Sequence, residues 1–290
     1  MIVVYFFMVA YRVVFCIGIS FATFLWKLVR KGYRLVGMLT HASLSYATLI
    51  QNPLLWAIAG VIILVAFYVR AVIGFGSGLI SVALLTLIFP IKEVVPVVLL
   101  LDLLGSVLLG AYDFREMRWP ELRWLIPGSL IGLAFGSFIL ADTNAQNLTR
   151  FLGVFILAYV CYALLMKPER LPQVALPWGM PLGIFGGVVG SLYGGGGPPI
   201  VAYLQMRHLD KRAFRATFQG IALTDNILRA FMYIALALLT WQLTVGFFLL
   251  IPPVLLGLWT GNRLHLRINQ RTFLMGTLAV LAVVGLKYLI

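Results

Sequence analysis

Acidic residues are scarce in this chain: nine Asp and Glu stand among 290 residues, and charged residues of both signs reach only 11%. A soluble domain carries about a quarter charged residues, so an ordinary globular protein is excluded. Cysteine is scarcer still. Cys16 and Cys161 each lie inside an apolar run, which excludes a disulfide framework. The three histidines, His41, His208 and His265, are scattered through basic or interfacial stretches without metal-ligand spacing and read as loop residues. No nucleophile motif, phosphate-binding loop or paired-carboxylate site occurs. Neither a metal, a cofactor nor an enzymatic activity is therefore expected.

Hydrophobic residues make up 62% of the chain, and its mean hydropathy is +1.02. At about 20 apolar residues per spanning helix, the sequence has room for roughly ten hydrophobic segments and little else. The formal charge of +13 does not point to nucleic acid. Its basic residues sit in short loops between apolar runs, where they orient a membrane protein. The expected partners are the lipid bilayer and a small solute, with a homodimer left open. The first apolar run, Met1 to Trp26, lacks a basic start and a small-residue cleavage site, so it reads as a retained helix.

The chain repeats itself. Gly76-Ser77-Gly78 with Val82-Ala83-Leu84-Leu85 recurs as Gly195-Gly196-Gly197 with Val201-Ala202-Tyr203-Leu204, an offset of 119 that also relates Lys92 to Lys211. Trp56 pairs with Trp178 and Trp119 with Trp241 at offset 122, and Pro127, Gly132 and Gly136 pair with Pro252, Gly257 and Gly261 at offset 125. This divides the chain into an N-terminal extension with an extra transmembrane helix (1–52), a first repeat (53–170) and a second repeat (171–290). Each repeat reads as five apolar segments: about 54–69, 73–89, 94–112, 122–140 and 148–166, then 178–192, 196–206, 214–238, 242–261 and 272–290. The expected fold is an all-α polytopic membrane protein of two inverted-topology repeats. The inversion follows because five crossings per half, or three if the first two segments form a re-entrant hairpin, are an odd number.

Loop charge tests that orientation. Arg115, Arg118, Arg123, Lys167, Arg170, Arg207, Lys211, Arg212, Arg215, Arg263, Arg267 and Arg271 fall on one side. Only Lys92, Arg150 and Lys287 fall on the other. The asymmetry makes the first side cytoplasmic.

Two glycine-rich breaks occupy matching positions, Gly74-Phe75-Gly76-Ser77-Gly78 and Tyr193-Gly194-Gly195-Gly196-Gly197-Pro198-Pro199. Broken backbone is tolerated at membrane depth only where protein or a wet cavity satisfies it, and paired interruptions mark a transporter's site. Helix ends starting there carry partial positive charge and suit an anion. Gly74, Gly76, Ser77, Gly78, Tyr193, Gly194, Gly195, Gly196, Gly197 and Pro198 are therefore candidate substrate contacts. Gly128, Gly132 and Gly136, and Pro253, Gly257 and Gly261, have small-xxx-small spacing and read as helix packing.

Charged and amide side chains inside apolar runs mark function by default. Asp225, Asn226 and Arg229 lie at a depth matching Asp102 and Ser106 in the first half. The i, i+4 spacing of Asp225 and Arg229 suits an ion pair. Arg229 and Asn226 are taken as anion ligands, and Asp102, Ser106 and Asp225 as proton-coupling or ion-pair residues. Arg70, four residues before the first break, either reaches the same cavity or snorkels to the interface.

The GFGSGLISVALL, LLDLLGSVLLGAYDF and GGGGPPIVAYL stretches, the pattern after Trp119, and LDKRAFRAT followed by DNILRA make residues 55–290 resemble the sulfite exporter TauE/SafE family. The resemblance implies export, or in some members uptake, of sulfur-containing anions such as sulfite or sulfoacetate across the bacterial cytoplasmic membrane. Uptake of thiosulfate or sulfate, a non-transporting membrane subunit and an intramembrane enzyme are the alternatives. The sequence departs from the family at Asp102, where an Asn is usual.

Overall fold

A computed structural model describes residues 53–113, 116–165, 171–194, 196–239, 241–264 and 270–289. The N-terminal extension and its expected helix lie outside the described residues, as does Gly195. The first half forms α1 (Pro53–Ile73), α2 (Ser77–Leu85), α3 (Ile91–Asp113), α4 (Trp119–Asp142) and α5 (Ala145–Leu165). A 3-10 turn at Leu176–Trp178 leads into α6 (Gly179–Tyr193), followed by α7 (Gly197–Met206), α8 (Lys211–Ala235), α9 (Trp241–Leu264) and α10 (Gln270–Lys287). The regular structure among the described residues is thus helical without strands, with five α-helices on each side of residues 166–175.

Four helices, α3, α4, α5 and α8, begin about a turn before the apolar segments expected from sequence, because their first turns carry polar residues. Trp119-Pro120-Glu121 opens α4 with proline at a position that needs no N–H. The Asp210 side chain caps α8 by accepting from Ala213 N at 3.4 Å. The segment expected over 73–89 is not one crossing. Gly74 and Gly76 interrupt it, and α2 has only nine residues, about 14 Å of rise against a hydrocarbon core of ~30 Å. α7, with ten residues, is equally short. By length and composition α1, α4 and α5 qualify as spans. α3, α8 and α9 have the length to cross, with 23, 25 and 24 residues.

The outside of this bundle is apolar and much of its centre is polar. Phe135, Phe231 and Phe248 are each more than 60% exposed, while Arg70, Asp102, Gln219 and Arg229 are buried. That distribution suits lipid as the surrounding solvent.

Packing exchanges partners between the halves: the fourth helix of each lies on the first helix of the other, α4 on α6 and α9 on α1. Small residues make these crossings. A Cβ on Gly136 would sit 2.8 Å from the Val188 carbonyl oxygen, one on Gly183 2.7 Å from Leu125 O, and one on Gly132 would run into Ile184 O. On the other crossing, a Cβ on Gly261 would lie 2.8 Å from Tyr68 O. The packing role expected for these glycines is the one observed.

Along both crossings residue numbers rise together. Gly128, Gly132 and Gly136 meet Met180, Ile184 and Val188, and Gly257 and Gly261 meet Leu64 and Tyr68, so each pair runs parallel. α5 and α10 run antiparallel, since Gly153 meets Tyr288 while Gly285 meets Ile156 and Leu157.

Candidate functional site

The two breaks meet. After α1, Gly74 takes φ +100° and Gly76 φ +99°, and after α6, Gly194 takes φ +74°. These are left-handed conformations that glycine adopts without strain. A Cβ on Gly78 would collide with the Gly194 carbonyl and lie 2.7 Å from Asp102 Oδ2. Beside this junction is a cavity of about 70 Å³, room for several water molecules or a small ion. Its walls include Gly76, Ser77 and Gly78 from one break and Gly194, Gly196, Gly197 and Pro198 from the other.

The two helix ends differ as donors. Helix geometry leaves the Ser77, Gly78 and Leu79 amides at the start of α2 without intrahelical acceptors. At the start of α7, Pro198 and Pro199 have no N–H, so that end offers its dipole but few donors. The symmetric cradle that the repeat suggests becomes a lopsided one.

Arg70 does not snorkel. It is buried, and its Nη1 donates to Asp102 Oδ1 at 2.9 Å and to Ser77 Oγ at 3.2 Å. Its Nη2 donates to Ser106 Oγ at 2.7 Å and Gln219 Oε1 at 3.1 Å. Ser77 Oγ also donates to Asp102 Oδ1, at 2.6 Å. Asp102 is thereby held in an ion pair that neutralises it beside the cavity.

The i, i+4 pairing expected of Asp225 and Arg229 does not form. Arg229 donates from Nη1 to the Gly190 carbonyl and from Nη2 to Asn226 Oδ1, the latter at 2.8 Å. Asp225 turns the other way and accepts from Ser129 Oγ on α4 at 2.6 Å. Each side chain is taken by a neighbouring helix, α6 for the cation and α4 for the carboxylate. Arg229 is 1% exposed and lines the cavity. Its hydrogen-bond partners are neutral, and its buried Nε makes no hydrogen bond.

Asp102, Asp225 and Asn226 also line the cavity, whereas Ser106 lies behind it, accepting from Arg70 and, at 3.1 Å, from Asn226 Nδ2. Gly74 stands outside the lining, with its carbonyl taken by Gln219 Nε2 at 2.8 Å. Tyr193 is buried, its ring stacked on Phe155 with centroids 5.9 Å apart, and does not face the cavity. It projects from the last turn of α6 into the apolar core.

Sequence reasoning missed Gln219, Ser129 and the Gly190 carbonyl. Gln219 had a signal: with Asn226 and Arg229 it shares one face of α8, at spacings of seven and three. Ser129 was hidden within the packing glycines of α4. A second buried cluster lies at the far end of α7. There Arg207 Nε donates to Glu121 Oε1 at 3.0 Å and Tyr203 OH to Glu121 Oε2 at 2.5 Å. Arg207 Nη1 also reaches Val174 O at 2.6 Å. These contacts tie α7, α4 and the link before α6 together at one end of the bundle.

A helical membrane protein with short, glycine-broken helices meeting at a polar centre has the build of a transporter. The family model for Sulfite exporter TauE/SafE matches residues 57–288, and the chain belongs to that family. It is similar to the Probable inner membrane transporter protein TsaS of Comamonas testosteroni, with 26% identity over 171 residues, 58% of this chain and 70% of that protein. No solved structure matches the chain.

Proposed function

We propose that the protein carries a small sulfur oxyanion, sulfite or sulfoacetate, across the bacterial inner membrane by alternating access, with export as the favoured direction. The observation that carries this is Arg229. A buried guanidinium whose hydrogen-bond partners are neutral and whose Nε is unpartnered, bordering a cavity at a helix N-terminus, is suited to hold an anion. The membrane potential, negative inside, favours outward movement of such a solute.

Rocking of the halves 53–170 and 171–290 about this site needs oppositely oriented repeats. Several registers support that orientation. α5 and α10 are the fifth helices of the two halves, and they run antiparallel to each other, as counterparts in inverted repeats do. The short helices agree, since both start at the cavity and α7 ends at Glu121 while α2 ends among Phe89, Arg150 and Lys287.

Transport is favoured over catalysis because Asp102 is committed to an ion pair with Arg70, and the described lining of the cavity holds no histidine or cysteine to act as base or nucleophile. Replacing Arg229 with Ala removes charge-assisted contacts of about 1.5–3 kcal/mol, so labelled sulfite flux in proteoliposomes is expected to fall roughly tenfold or more. Flux equal to that of the intact protein would remove Arg229 from the site. Asp225 is the carboxylate left for proton coupling, since it is held by a hydroxyl rather than a cation. The Asp225→Asn protein should carry anion without responding to an imposed pH difference. An unchanged response would assign the coupling elsewhere.

A further inference from the structure

The central cavity is not the only recess along α2 and α10. Leu79 and Ile80 of α2, with Thr277, Leu278 and Leu281 of α10, line the cavity. Thr86, just past the end of α2, and Lys287 and Tyr288, at the end of α10, line a second, open recess of about 370 Å³. Six residues separate Ile80 from Thr86 and Leu281 from Lys287, about 9 Å along each helix. The two spaces therefore lie at successive depths along one seam, bridged by the Tyr288 hydroxyl, which donates to Ala83 O at 2.5 Å.

The chemistry of the outer recess is that of an anion receptor. Arg150 and Lys287 both line it, Gln146 and Thr149 add polar groups, and no Asp or Glu is among its lining residues. These two cations are two of the three that loop charge places on the non-cytoplasmic side. Lys92, the third, donates to Ala141 O at 3.0 Å. Cations on that face run against the usual bias of membrane proteins, and two cations lining one recess together attract an anion.

We propose that this recess is a peripheral binding site for an oxyanion group, standing on the route between the central cavity and the non-cytoplasmic face. The inference rests on the transport reading above. The same chemistry is supplied by the carried solute or by the phosphate of an acidic lipid headgroup.

The test compares the intact protein with the double variant Arg150→Gln, Lys287→Gln in oriented proteoliposomes, with labelled sulfite presented at the face bearing these residues. One preparation is made from zwitterionic lipid alone and one with added phosphatidylglycerol. The double variant should raise the half-saturating sulfite concentration roughly fivefold at low salt and leave the maximal rate unchanged. The difference should vanish at high salt, as for exposed charges. The charge-retaining variant Arg150→Lys, Lys287→Arg should restore the intact value, which separates charge from folding. A shift in both lipids makes the solute the ligand, and a shift only with phosphatidylglycerol makes it the headgroup. No shift in either lipid, with the intact protein transporting, overturns the site and leaves the transport reading standing. Absence of flux through the intact protein overturns the reading, and the site with it.

Discussion

Gly78→Ala is expected to abolish anion flux. A methyl group there would occupy the space of the Gly194 carbonyl and press on Asp102 Oδ2 at 2.7 Å, so the two breaks can no longer touch. The obstacle is rigid backbone rather than the end of a flexible side chain, and overpacking of this kind costs about 1–3 kcal/mol even when neighbours shift. The larger effect falls on transport, because the amides at the start of α2 move with the displaced turn. Flux in proteoliposomes and thermal unfolding in detergent check both parts. Gly276→Ala is the matched control. Nothing lies within 4 Å of a Cβ built on Gly276, so the same change on α10 should leave flux and stability intact. Normal flux through Gly78→Ala would mean that the breaks separate during transport without cost.

Arg70→Gln should be the most destabilising single change in the polar centre. It leaves the Asp102 carboxylate buried with only Ser77 to donate to it, and removing one partner of a buried ion pair costs about 3–5 kcal/mol. It also removes the donors that reach Ser106 and Gln219, which link α1 to α3 and α8. The double variant Arg70→Gln, Asp102→Asn removes both charges and restores the Asn usual in the family. It should recover most of the lost stability, since a neutral hydrogen-bonded pair replaces the orphaned carboxylate. Thermal unfolding of Arg70→Gln, Asp102→Asn and the double variant in detergent measures this. A double variant as unstable as the sum of the two single changes would show that the ion pair itself contributes nothing.

The two sites of charge illustrate how far local pattern carries. Asp225 and Arg229 have the spacing of an ion pair on one helical face, yet they are drawn apart by Ser129 on α4 and Gly190 on α6. The pair that does form joins Arg70 to Asp102, 32 residues apart, and no periodicity announces it. Hydrogen-bond partners decide such competitions in a low dielectric, and those partners arrive from other helices. Tyr193 fails as a site residue for a related reason. Its place beside a break says nothing of direction, and the last turn of α6 points it at Phe155.

Composition, periodicity and the glycine pattern were enough to read a helical membrane protein whose backbone breaks at Gly74–Gly76 and at Gly194. These are local properties, set by the transfer of side chains into lipid and by the φ freedom of glycine. Helix packing decided that Arg70 pairs with a carboxylate whereas Arg229 finds neutral hydrogen-bond partners beside the cavity. It also decided that one helix end donates more than the other, and that Arg150 and Lys287 share a recess at the end of α10. Those outcomes depend on the crossing of helices far apart in sequence, where packing of small residues sets the distances and the distances choose the partners.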